Sequence, residues 1–169
     1  MTVPTLIFGW GNPSRGDDAL GPALLDRIEA ALAHHPEWGE VEVLTDFQLQ
    51  VEHALDLDGR ERVLFVDASA RSEESPFRVS LLEPARDSSF TTHALSPQGV
   101  MHVYEDLKAR PAPPCHLLAI AGESFELGTP LSPSARANLE AALAWTQDWL
   151  SRGAHGGPAQ MAGMAGAST

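Results

Sequence analysis

Chemistry along this chain concentrates in one short segment, Gly9-Trp10-Gly11-Asn12-Pro13-Ser14-Arg15-Gly16-Asp17-Asp18-Ala19-Leu20-Gly21, where two adjacent carboxylates follow a glycine-rich turn. Two further residues stand out. Asp67 closes the apolar run Val63-Leu64-Phe65-Val66, and His93 lies in the polar stretch Phe90-Thr91-Thr92-His93-Ala94-Leu95-Ser96-Pro97. Brought together, Asp18, Asp67 and His93 form two carboxylates and an imidazole, a donor set suited to a borderline divalent ion such as nickel or zinc. Three ligands leave positions open, so such a site binds metal weakly alone or shares it with a partner. Without metal, the two carboxylates are a pair able to activate a water molecule.

Each of these residues also has a plainer role open to it. Asp17 or Asp18 sits where a helix cap is expected, and a carboxylate at a helix start is worth about 0.3–1 kcal/mol through the dipole. Capping is the favoured role for Asp17. Asp67 can cap the turn into Ala68-Ser69. Among the other histidines, His34 and His35 end a surface helix, His53 and His102 are expected on exposed helical positions, His116 lies in an apolar run and His155 lies near the C-terminus. His93 differs by lying in a loop that returns to the sheet edge.

The same glycine-rich segment invites a dinucleotide-loop reading, which its residues oppose. After Gly9 and Gly11 the third glycine of that motif falls on Ser14, and Pro13 lacks the N–H a phosphate would use. Asp17 and Asp18 stand where the phosphate would bind.

The elements needed to position these residues follow from periodicity. Residues 4–10 and the runs Val63–Val66 and His116–Ala121 read as buried strands. Val41-Glu42-Val43-Leu44 and Phe77–Leu82 alternate as strands do. Leu20, Leu24, Ile28 and Leu32 recur every four residues and mark a helix over roughly 18–34. Gln50–Leu57 suits a short helix with Val51, Ala54 and Leu55 on one side, residues 97–109 a second, and Ser132-Pro133 opens a last one running to about Leu150. Strands alternating with helices predict an α/β fold, a mostly parallel sheet covered on both faces. Ligands then bind beyond the carboxyl ends of the strands, where the first loop and Asp67 lie. Residues 1–150 form the expected domain. Residues 151–169, rich in Gly and Ala, form the expected flexible tail.

Composition narrows the function. The 169 residues suit one domain, and 43% apolar with 20% charged residues suits a buried core. A net charge of −12 opposes a nucleic-acid partner. No apolar stretch approaches about 20 residues, which argues against a membrane role. Met1–Leu6 has no basic leader before an apolar core, and a single Cys115 makes no internal disulfide. A cytoplasmic monomer is expected.

At this point the residues resemble a known family, the [NiFe]-hydrogenase maturation endopeptidases. Gly11-Asn12-Pro13-x-x-Gly16-Asp17-Asp18-x-x-Gly21 is similar to that family's N-terminal loop without a gap. Gln48-Leu49, Val66-Asp67-Ala68, Thr92-His93-x-Leu95, Gly122-Glu123-Ser124-Phe125 and Leu131-Ser132-Pro133 follow in the family's order, over about residues 5–150. The chain departs from the pattern at Trp10, where smaller loop residues are familiar, and after Leu150. The resemblance implies a three-layer α/β/α sandwich with a twisted five-stranded sheet. It implies an aspartyl-type protease that removes a C-terminal extension from the hydrogenase large-subunit precursor after nickel insertion. Nickel would be the recognition signal, supplied by the precursor, with Asp18, Asp67 and His93 as its ligands and as the catalytic set. Gly11, Asn12 and Asp17 would belong to the substrate loop. Two other readings remain: a non-catalytic chaperone for nickel or precursor, and a nucleotide- or sugar-phosphate-binding enzyme for which only Arg15 offers a cation.

Overall fold

In the computed structural model, which describes residues 2–70, 75–87 and 94–153, the apolar runs become one five-stranded sheet. The strands are β1 (Thr5–Trp10), β2 (Val41–Asp46), β3 (Arg62–Ser69), β4 (Phe77–Leu81) and β5 (Cys115–Ala121), in the order β2-β1-β3-β5-β4. All neighbours pair in parallel except β4, which runs antiparallel to β5 at one edge. Three α-helices are present among the described residues: α1 (Leu20–Leu32), α2 (Pro97–Lys108) and α3 (Pro133–Arg152).

Strand residues alternate between two separate cores, as a period of two requires. Ile7, Leu64, Val66, Leu118 and Ile120 meet α1 and α3, including Leu24, Ile28, Leu139 and Trp149. Leu6, Phe8, Val63, Phe65 and Cys115 meet α2, through Val100, Met101 and Tyr104, and the turn Val51–Leu57. The result is a three-layer α/β/α sandwich with a mostly parallel sheet, as expected.

Several boundaries differ from the sequence reading for physical reasons. Val51–Leu57 is a 3-10 helix, not an α-helix. Its period of three puts Ala54 and Leu57 on one buried face and turns Leu55 outward, 57% exposed, while Val51, in the same register but at the first residue of the turn, is 56% exposed. Trp10 is the last residue of β1 rather than a loop residue, and its ring packs edge-on against Phe65 at 5.9 Å. The final helix continues to Arg152, two residues past its expected end at Leu150. Its last carbonyls are held by the buried Arg62, whose guanidinium donates to Trp149 O at 2.8 Å and Leu150 O at 3.3 Å and lies 4.2 Å from the Trp149 ring centre. Burial lowers the Arg62 pKa to about 10. Residues 154–169, the rest of the expected tail, lie outside the described residues.

The connections diverge at one place. From β1 the chain passes through α1 to β2 on one side, while from β3 it passes to β4 and β5 on the other. The carboxyl ends of β1 and β3 therefore flank the crevice at which such sheets bind ligands.

Candidate functional site

Pairing between β1 and β3 ends at Gly9 and Val66. Beyond it, β3 carries Asp67, Ala68 and Ser69 onward beside β5, while β1 turns away into the loop that ends at Ala19. Asp67 thus stands at the mouth of the opening rather than past the end of its strand. Gly21 closes the back of it. A side chain there would meet Trp10 O at 2.7 Å and Val66 O at 3.1 Å, so only glycine lets α1 rest on the two strand ends.

The loop is shaped by its own backbone. Asn12 N–H donates to Asp18 Oδ2 at 2.6 Å, and Asn12 Oδ1 accepts Ser14 N–H at 2.9 Å. Gly11 has φ of +146°, and a Cβ there would collide with the Asp18 carbonyl, so Asn12 and Asp18 meet only around a glycine. Gly11, Arg15, Gly16, Asp17 and Asp18 donate their N–H groups to Asp46, Asn12, Thr129, Ser124 and Arg15 carbonyls respectively. Every N–H from Gly11 to Asp18 is therefore occupied within the chain, Pro13 having none. A phosphate would find no free backbone N–H in this loop, which removes the nest of amide donors that the nucleotide reading needs.

The two adjacent aspartates part company. Asp17 is fully buried and points away from the crevice. Its carboxylate accepts four hydrogen bonds, from Glu123 N at 2.7 Å, Ser124 N at 3.0 Å, Ser132 N at 2.7 Å and Ser132 Oγ at 2.7 Å. Burial would raise its pKa, but the bonds from Ser132, Glu123 and Ser124 outweigh that and hold it below the ordinary value. The expectation that it caps its own helix is corrected: Ala19 precedes α1 with no side-chain cap, and Asp17 instead braces the loop that opens α3. Within the loop expected to meet substrate, the Asp17 side chain is therefore turned inward.

Asp18 faces the other way. Its carboxylate and that of Asp67 are close enough to interact, and the proximity is visible in Asp67. Burial first, then the neighbouring charge of Asp18, pushes Asp67 up to about 7, against the opposing bond from Ala68 N at 2.8 Å. Among the described residues, the hydrogen bonds from Asn12 and Ala68 engage one oxygen of each carboxylate, and the other oxygen can take a water or a cation. Two oxygen donors with crowded negative charge fit a divalent cation better than an anion. Among the described residues no group of three His, Cys, Asp or Glu side chains is placed to hold a metal. His93 lies outside the described residues. Leu95, two residues beyond it, is fixed by its N–H to Leu49 O at 3.0 Å, on the α2 side of the sheet that Asp67 also faces.

One acid and one imidazole at this edge escaped the sequence reading. Asp46, the last residue of β2, lies 3.2 Å from His53 Nε2, and His53 Nδ1 accepts Gln50 N–H at 2.8 Å. Because Nδ1 is an acceptor, the proton sits on Nε2 and points to Asp46. Only 11% of the His53 side chain is exposed, and it stacks edge-on against Phe8 at 4.7 Å. The expectation that it is exposed on a helix is thereby corrected. The three-residue spacing of Gln50 and His53, a capping-box spacing, was the available signal.

Cys115 is no nucleophile: it is fully buried, and burial pushes its thiol up to about 12.

No protein-family model and no curated protein sequence matches the chain. Solved structures do resemble it. A [NiFe] hydrogenase maturation protease, HycI, from Thermococcus kodakarensis is 20% identical over 89% of this chain and 93% of its own, with a TM-score of 0.66. The hydrogenase maturating endopeptidase HybD from E. coli is 20% identical, covers 87% of this chain and 91% of its own, and has a TM-score of 0.64. A hydrogenase 2 maturation peptidase from a Thaumarchaeota archaeon is 22% identical over 87% and 97%, with a TM-score of 0.59. The class defined by fold and site together is an α/β/α domain with a carboxylate pair at its switch-point crevice. Its architecture is that of the solved hydrogenase maturation proteases.

Proposed function

We propose that the chain is an endopeptidase that removes the C-terminal extension of a [NiFe]-hydrogenase large-subunit precursor after nickel insertion. The observation that carries this reading is the Asp18–Asp67 pair, with Asp67 at about 7, set at the strand ends of this architecture. Near neutral pH Asp67 exchanges a proton readily, as a catalytic acid or base must. Its charged form takes a proton from a water while the water oxygen bonds to the scissile carbonyl carbon. The resulting carboxyl then returns that proton to the departing amide nitrogen as the C–N bond breaks. Asp18, fixed by Asn12, holds the water from the loop side. The nickel belongs to the precursor, and Asp18, Asp67 and His93 are the residues that would meet it. Cleavage of the precursor to mature length, seen on a gel, is the test. Asp18→Asn should abolish it with little change in folding. Unchanged cleavage by that variant, or binding of precursor without cleavage by the wild type, would overturn the reading, the second in favour of a chaperone.

A further inference from the structure

Three strands set Asp67, Ala119 and Arg78 in one row. Asp67 pairs with Ala119 across β3 and β5, and Ala119 with Arg78 across β5 and β4. Directly paired residues project from the same face of a sheet, here the α2 face. A groove of about 360 Å³ lies along this row. Its floor is Leu117, Ala119 and Ala121, and Ser69, Ser80 and Arg78 stand around it. Ser69 shares both strand and face with Asp67, two residues further along β3, so the groove begins one pleat beyond Asp67 on the same face. The two alanines keep its floor low enough for a main chain to lie across β5.

Strands are about 4.8 Å apart, so Asp67 and Arg78 are separated by about 10 Å across two spacings. An extended peptide advances about 3.3 Å per residue, so about three residues reach from a bond held at Asp67 to the guanidinium. An acidic segment entering beside Asp18 and Asp67, on a chain of net charge −12, needs a local cation. Arg78, exposed on β4, supplies one in the groove wall. It already has a partner within the chain, and a guanidinium carries five donors, enough for a second acceptor.

We propose that this groove binds the substrate peptide beside the scissile bond, and that Arg78 pairs with a carboxylate of that peptide about three residues from the cut. The carboxylate is either an acidic side chain or the terminal carboxylate of the extension. The inference rests on the endopeptidase reading above.

The test is steady-state cleavage of full-length, nickel-loaded large-subunit precursor by the wild type, Arg78→Ala and Arg78→Lys. It is repeated on precursors in which each acid near the cut is changed to its amide, and on one lengthened at its C-terminus to displace the terminal carboxylate. Arg78→Ala should raise KM about tenfold with kcat little changed, and Arg78→Lys should recover part of that loss. One precursor change should raise the wild-type KM equally and leave Arg78→Ala no worse, which identifies the carboxylate and its source. An unchanged KM in Arg78→Ala, or a loss that adds to every precursor change, overturns the groove alone. If the wild type binds without cutting, the endopeptidase reading fails and the same comparison is read in Kd, where a tenfold loss in Arg78→Ala sustains the groove and no loss overturns it. A wild type that neither binds nor cuts overturns both.

Discussion

Asp17 and Asp67 lie at the same end of the sheet and are governed by opposite forces. Asp17 is wholly buried yet receives four hydrogen bonds, and its pKa falls. Asp67, at the crevice, is raised to about 7 by burial first and then by the charge of Asp18, against the single opposing bond from Ala68 N–H. Burial alone therefore does not decide what a carboxylate does. The balance of burial against donors does: with enough donors the carboxylate is held charged, and with too few burial raises its pKa.

The largest effect that can break this contrast is on stability. Asp17→Ala strands the donors of Glu123, Ser124 and Ser132 at the start of α3, and should cost about 3–5 kcal/mol, read by urea unfolding. A loss under about 1 kcal/mol would mean that water replaces the carboxylate and that the brace is unimportant.

The pH dependence sharpens the contrast. A carboxyl whose folded pKa is raised gives stability that is complete below the unfolded value of 3.8 and lost as pH rises through about 7. Asp67→Asn removes that loss, so its melting temperature should exceed that of the wild type at pH 8 and match it at pH 4. Asp17, with its pKa lowered, works the other way: its contribution is present above 3.8 and lost as pH falls through the folded value, so Asp17→Asn should be most damaging at neutral pH. A difference between Asp67→Asn and wild type that is flat with pH would contradict the account of the crevice.

Gly21→Ala is expected to have a smaller effect. The added methyl meets Trp10 O and Val66 O at 2.7 and 3.1 Å, so α1 must lift from the strand ends. Thermal unfolding should show a loss of about 1–3 kcal/mol, with a fall in cleavage rate as Asp18 is displaced. Full activity would show that the crevice tolerates movement of its back wall.

What was legible in the sequence was whatever local periodicity encodes. The apolar runs at 5–10, 63–66 and 116–121 specify buried strands, and the four-residue repeat from Leu20 specifies the inner face of α1. Asp67 was legible because it ends such a run. The fate of Asp17 was not, because its partners lie 106 to 115 residues away and nothing in its neighbourhood announces them. The 3-10 winding of Val51–Leu57 was hidden too, since Val51, Ala54, Leu55 and Leu57 suit either period until packing chooses Ala54 and Leu57. Arg78 carries no local signal, because its relation to Asp67 exists only across β5, in the register of three strands.

The most direct measurement is a cleavage assay with purified protein and large-subunit precursor, once loaded with nickel and once without. The account predicts that only the nickel-loaded precursor shortens to mature length, and that Asp18→Asn and Asp67→Asn leave it uncut. Equal cleavage of both precursors, or cleavage that survives loss of both carboxylates, would contradict it.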